Sequence, residues 1–124
     1  MSEKPKRILL VENDTELRTI FAEGLEDYGF EVVSARDGLS AFEKYVDQGP
    51  FDALVVEQNL PNVTGPELLQ RLRDKGEGTP AILMSGRLEV GAQQKGPLGI
   101  ASLFEKPFRL KALVTALRRV MLVF

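Results

Sequence analysis

Phe51-Asp52-Ala53-Leu54-Val55-Val56-Glu57-Gln58-Asn59-Leu60-Pro61-Asn62-Val63-Thr64-Gly65-Pro66 holds the middle of the chain. It opens on a short apolar run, Ala53 to Val56, with the length and composition of a strand buried on both faces. The run ends on a carboxylate, Glu57. A turn containing Pro61 follows, and Thr64 and Glu67 then stand three apart ahead of Leu68-Leu69. That spacing predicts a capping box, in which hydroxyl and carboxylate each satisfy a free backbone N–H at a helix start. An acid at the carboxyl end of a buried parallel strand lies where open α/β sheets place their chemistry.

Upstream, the polar arm Ser2–Arg7 leads into Ile8-Leu9-Leu10-Val11, a second continuously apolar strand that also ends on acid, Glu12-Asn13-Asp14. Asn13 and Glu16 have capping-box spacing, and Leu17, Ile20, Phe21, Leu25 and Tyr28 mark one helical face that Gly29 closes. Phe30–Ala35 alternates imperfectly and carries a charge, which suits a strand nearer an edge. Asp37 can cap the next helix, with apolar positions Ala41, Phe42, Tyr45 and Val46 and an end at Gly49-Pro50.

Downstream, Leu68, Leu69 and Leu72 form the inner face of a helix ending near Gly76 and Gly78, and Thr79–Met84 is a third apolar strand, closed by Ser85-Gly86. Gly91, Gly96 and Pro97 leave room for about two helical turns between Arg87 and Gly99, since an interior glycine costs ~1 kcal/mol. Ala101–Phe104 is a short strand running into Glu105-Lys106-Pro107-Phe108. Leu110, Leu113, Val114, Leu117 and Met121 then define a last amphipathic helix. Its basic residues Arg109, Lys111, Arg118 and Arg119 read as a solvated face, with partner docking as the alternative. The closing Leu122-Val123-Phe124 either packs back on the domain or marks a cut from a longer chain.

Five alternating strand–helix pairs predict an α/β fold of the flavodoxin-like type: a doubly wound, five-stranded parallel sheet with five crossover helices, the fourth short or irregular. The three apolar strands belong in the middle and the two more polar ones at the edges, which with right-handed crossovers favours the order 2-1-3-4-5. Glu12, Asn13 and Glu57 then meet at the switch point between strands 1 and 3, and Ser85 and Lys106 line the other side of the same crevice.

Length and composition bound the chemistry. The 124 residues are enough for one well-buried core, and a net charge of −2 argues for no nucleic-acid surface. With no cysteine and no histidine, disulfides, thiolate metal sites and imidazole catalysis are excluded. The apolar run Ile8–Val11 is too short for a signal peptide or a membrane span, so a cytoplasmic protein is expected.

Four segments, Leu10-Val11-Glu12-Asn13, the Glu57–Gly65 loop, Met84-Ser85-Gly86 and Glu105-Lys106-Pro107-Phe108, occur in this order at spacings that resemble those of response-regulator receiver (CheY-like) domains. The resemblance covers essentially the whole chain and implies a single receiver domain over residues 1–124, a signalling module rather than an enzyme. In that family a kinase phosphohistidine donates to an aspartate at the end of strand 3, with Mg²⁺ held by acids of the first loop, by the acceptor and by a loop carbonyl. By position the resemblance makes Glu57 the phospho-acceptor site, Glu12 and Asn13 the acidic pair, Ser85 the switch hydroxyl and Lys106 the charge partner. Asn59 would supply the carbonyl, so Glu12, Asn13, Glu57 and Asn59 are the candidate metal set.

This sequence departs from the family pattern. Glu57 and Thr64 replace two aspartates of the loop, Asn13 replaces an acid, and Leu103 stands where the family has its switch aromatic, with Phe104 next to it. Glu57 carries its charge one methylene further out, and the pocket loses an acid at Asn13, so Mg²⁺ binding is expected to be weakened and no other cofactor is implied. These changes point to an atypical or pseudo-receiver in which Glu57 holds Lys106 and signalling runs through protein contacts. The rival is a phosphorylation-competent phosphorelay receiver, or an Asp-to-Glu phosphomimetic variant, acting with a sensor histidine kinase. Flavin binding on the same sheet is disfavoured because Glu12 and Asp14 would repel its phosphate. The expected partner is a sensor histidine kinase or another signalling protein, with no nucleic acid or membrane, and a homodimer through the fourth and fifth crossover face is possible on this reading. The short fourth crossover is similar to receivers at the C-termini of hybrid sensor kinases, and no output domain is expected after Phe124.

Overall fold

Each strand of the sheet divides its side chains between two helical layers. The structure, a computed structural model, describes residues 4–122 apart from Val90 and the side chain of Ala92. The elements are β1 (Arg7–Val11), α1 (Thr15–Asp27), β2 (Glu31–Ala35), α2 (Gly38–Gln48), β3 (Ala53–Glu57), α3 (Gly65–Asp74), β4 (Ala81–Ser85), α4 (Ala92–Leu98), β5 (Ile100–Glu105) and α5 (Leu110–Val120). They form one parallel sheet in the order β2-β1-β3-β4-β5, as the strand compositions predict. Because side chains alternate along a strand, Leu9, Val11, Leu54, Val56 and Leu83 face the layer built on Leu68, Leu69 and Leu72 of α3. Ile8, Leu10, Val55, Ile82 and Met84 face Phe21 and Leu25 of α1 and Leu113 and Leu117 of α5. Burying side chains of this size contributes roughly 1.5–3 kcal/mol each, so the three central strands dominate the stability. Among the described residues no helix is long and apolar enough to cross a membrane.

Register carries the acidic strand ends to one edge. Val11 lies beside Val56, Glu57 beside Met84 and Ser85 beside Glu105, so β1, β3, β4 and β5 stop at nearly the same level. Asp37 caps α2 by accepting from the Ser40 N–H, and Thr64 and Glu67 form the reciprocal capping box of α3. The fourth crossover is a seven-residue helix containing Pro97 and closed by Gly99 at φ +68°. Arg73 reaches across from α3 to donate to the Leu98 carbonyl, one of the acceptors left free at that helix end.

The first helix corrects two expectations. Its cap is Asp14, whose carboxylate accepts from the Leu17 N–H, and Asn13 is exposed. The reason is Glu12: turned inward at the end of β1, its carboxylate accepts from the Asp14 N–H and delays the helix start by one residue. The apolar face also narrows in the folded chain. Phe21 and Leu25 are buried and Leu17 half-buried, but Ile20 is 58% exposed and Tyr28 lies outside the helix under the Arg118 guanidinium. Val46 of α2, expected on the inner face, is likewise 63% exposed. A helix laid on a sheet meets it along a stripe, and apolar residues at the margins of that stripe remain in solvent. Leu122 is exposed, while Val123 and Phe124, together with Ser2 and Glu3 of the polar arm, lie outside the described residues.

Candidate functional site

Three strand ends build a charged wall. Glu57 is the last residue of β3 and Glu12 follows β1; both are almost wholly buried, at 5% and 1% exposure. Lys106 follows β5, and its backbone N–H is held by the Ser85 carbonyl at 2.7 Å, which anchors the root of its side chain beside β4. From there the ammonium Nζ donates to Oε1 of Glu12 and to Oε1 of Glu57, each at 2.5 Å. The second oxygens are also engaged: Glu12 Oε2 accepts from the Asp14 N–H at 3.1 Å, and Glu57 Oε2 from the Asn59 N–H at 2.8 Å. Burial by itself would pull the Lys106 ammonium down, but hydrogen bonds with Glu12 and Glu57, and then their charges, outweigh it and hold the group above the ordinary lysine range.

The opposite wall is neutral. Ser85 is fully buried, and its Oγ accepts from the Asn59 side-chain amide at 3.0 Å and from the Arg87 N–H at 3.2 Å. Gln58 is buried as well, at 4% exposure; its Nε2 donates to the Arg87 carbonyl and its Oε1 accepts from the Glu89 N–H. The backbone of this turn is held from both sides, with the Gln58 N–H on the Met84 carbonyl and the Gly65 N–H on the Gln58 carbonyl. Gly65 has no substitute at such an approach, because a Cβ there would lie 2.5 Å from the Glu57 carbonyl oxygen.

Four of the residues singled out in the sequence therefore meet: Glu12, Glu57 and Lys106 directly, and Ser85 through Asn59. Asn13 does not join them; it is exposed, and the pocket holds the acid on one side of it while the helix takes the acid on the other. Asn59 enters by its side chain and its N–H. Gln58 was missed by sequence reasoning. The one available signal was an amide directly after an unbroken apolar strand, where a polar residue that stays buried needs partners.

A family model described as response regulator receiver domain matches residues 8–118. The chain belongs to that family. Among relatives of this receiver, the transcriptional regulatory protein TrcR of Mycobacterium tuberculosis is 36% identical over 115 residues, 92% of this chain and 44% of that protein. The transcriptional regulatory protein TctD of Salmonella typhimurium is 34% identical over 90% of this chain and 50% of its own length. The receiver thus spans about half the length of the curated relatives it matches. Among solved structures, the Vibrio cholerae chemotaxis protein CheY4 superposes with a TM-score of 0.83 at 27% identity, covering 94% of this chain and 98% of that one. A sensor protein from Polaromonas gives 0.82 at 28% identity, covering 94% and 95%.

At the expected position of the receiver's switch aromatic, Leu103 packs against the α2–α3 layer, whereas Phe104 faces the other layer and meets Phe108 edge-on at 5.1 Å. Adjacent residues of a strand point to opposite faces. Leu103 and Phe104 therefore serve different layers and do not substitute for one another.

Proposed function

We propose that this receiver is an atypical one, a pseudo-receiver that signals through protein contacts with Glu57 in place of a phospho-accepting aspartate. The observation that carries the reading is the shared ammonium: Lys106 bridges Glu12 and Glu57 while a backbone N–H takes the other oxygen of each. The pocket is tied together without a phosphoryl group. Glu57 supplies one charge and two oxygens where phosphorylation would bring about −1.5 to −2 and three oxygens, so it reproduces such a state in part. The donors do not fit Mg²⁺ in this arrangement. That ion requires near-octahedral oxygen coordination, the four carboxylate oxygens already have partners, Asn13 is exposed, and among the described residues no three His, Cys, Asp or Glu side chains converge. A longer acceptor is also a misplaced nucleophile, and an error of about 1 Å in such a group can lower a rate about 10²-fold.

Acetyl phosphate with Mg²⁺, followed by intact mass, tests this. The wild-type receiver should stay at its own mass, and Glu57→Asp should gain a species about 80 Da heavier, one phosphoryl group. That species on the wild-type protein would establish the second reading, a phosphorelay receiver acting with a sensor histidine kinase, which the presence of both Ser85 and Lys106 in the pocket favours. The likeness to a Polaromonas sensor protein and the short α4 favour a place at the end of a hybrid kinase, while the curated relatives are regulators.

A further inference from the structure

We infer that Gln58 is a positioning residue, a buried amide latch that carries the state of Glu57 to the loop between β4 and α4. This rests on the reading of the Glu57 pocket as a signalling site. The argument starts from where Gln58 lies. It follows an unbroken apolar strand, is 4% exposed, and spends its amide on the backbone of a loop about thirty residues away: Nε2 on the Arg87 carbonyl at 3.0 Å and Oε1 on the Glu89 N–H at 2.8 Å. A buried amide used merely as filler would leave donors or acceptors unsatisfied. Here the two ends match a carbonyl and an N–H two residues apart, which is the spacing of a clamp across a turn.

Among its described residues the clamped loop has few other anchors. Gly86, Arg87 and Glu89 are exposed, and Leu88 is partly buried against the α2–α3 layer. Among the described residues its remaining side-chain tie is the Arg87 N–H on Ser85 Oγ. The latch therefore decides where the loop backbone runs.

Transmission follows from the turn Glu57-Gln58-Asn59. The Glu57 carboxylate accepts from the Asn59 N–H, and that N–H belongs to the peptide unit that Gln58 begins. The Gln58 N–H is meanwhile held on the Met84 carbonyl. When the carboxylate changes partner, the 58–59 peptide loses one of its two anchors and keeps the other, its carbonyl on the Gly65 N–H, so it tilts about that remaining bond and shifts the Gln58 Cα and side chain with it. A second line runs from Asn59 Nδ2 through Ser85 Oγ to the Arg87 N–H. The two lines end on different amides. Arg87 reports on Ser85, whereas the partner of the Glu89 N–H is Gln58 itself.

Amide-resolved hydrogen exchange on the full chain, without phosphodonor or metal, tests the latch. Gln58→Met keeps the length and removes both bonds, and should raise Glu89 exchange about tenfold, the equivalent of one net hydrogen bond. Glu57→Gln alone should also raise Glu89 exchange, and in the Gln58→Met background it should add nothing there while still changing Arg87. If Gln58→Met fails to fold, Gln58→Asn takes its place, since a side chain one methylene shorter cannot reach both backbone groups. Unchanged Glu89 exchange in the Gln58 variant would show that the clamp does not hold the loop. An equal response to Glu57→Gln in both backgrounds would show that the signal bypasses Gln58. Either result overturns the proposal. The phosphodonor mass measurement is independent of this one, so failure of the latch and failure of the pseudo-receiver reading are told apart.

Discussion

The two walls of the crevice solve one problem by different means. On the β1–β3–β5 side, two buried carboxylates are held by a single ammonium; on the β4 side, the Ser85 hydroxyl takes the Asn59 amide, and the hydroxyl and the Gln58 amide each hold the backbone of a loop. The charged wall has a large interaction energy set against a large desolvation cost, so removing one member leaves a buried charge unpaired. The neutral wall has small energies and strict geometry. Ionisation should therefore govern the first and bond direction the second, and Glu57 and Asn59, joined by one hydrogen bond, stand where the walls meet.

The largest effect is expected from Lys106→Met in the charged wall. Breaking a buried pair by removing one partner typically destabilises by about 3–5 kcal/mol. The lower end is expected here because the lysine side chain keeps 17% of its exposure. Urea unfolding at neutral pH gives the number. Glu57→Gln should cost less, and the double variant should lose little more than Lys106→Met alone, because the two share one interaction. Additive losses would mean that the two side chains do not act as a pair.

The same wall has a pH signature. The Lys106 pKa is raised in the folded protein above its ordinary 10.5. A raised folded pKa means that its contribution is fully present below 10.5 and is lost as pH climbs through the folded value. The stability gap between wild type and Lys106→Met should hold steady from neutral pH to about 10 and close above it. A gap that closes below pH 9 would contradict the sign of the shift.

Ser85→Ala probes the neutral wall and should have a smaller effect. It strands the Arg87 N–H and the Asn59 amide, and leaving such groups unsatisfied costs about 1–3 kcal/mol. Both residues are exposed, so water can replace the hydroxyl and the loss should fall near 1 kcal/mol, with no dependence on pH between about 5 and 9. A loss as large as that of Lys106→Met would erase the distinction between the walls.

The smallest effect separates neighbours on the edge of the charged wall. Asp14→Ala should lower stability by about 1 kcal/mol, the usual value of an N-cap, while Asn13→Ala should stay within about 0.5 kcal/mol, as exposed substitutions do. Thermal unfolding of the pair decides which residue caps α1; the reverse order would restore Asn13 as the cap.

Strand identity, strand order and the capping of α2 and α3 were legible because each rests on local pattern. An unbroken apolar run can only be covered on both faces, and Thr64-x-x-Glu67 closes on itself wherever the chain goes. Asn13 and Glu16 satisfy the same spacing rule, and the rule failed there because Glu12 was drawn into the crevice by Lys106, 94 residues away. The exposure of Ile20 and Val46 was hidden for a related reason: periodicity marks an apolar face, and the width of the face that is covered depends on the neighbouring layer.

By itself, then, the sequence determined a parallel sheet in the order 2-1-3-4-5 and brought Glu12, Glu57, Ser85 and Lys106 to one edge of it, since composition sorts central strands from edges and each of these residues ends or follows a strand. Tertiary structure alone decided how they are joined. One ammonium shared by two carboxylates, a serine reached through Asn59, and the burial of Gln58 on the Arg87–Glu89 backbone all depend on distances across loops that no local pattern encodes. Hydrogen bonds and ion pairs act over a few ångströms and are strict in direction, so partners far apart in the chain are chosen only once the strands have set their ends side by side.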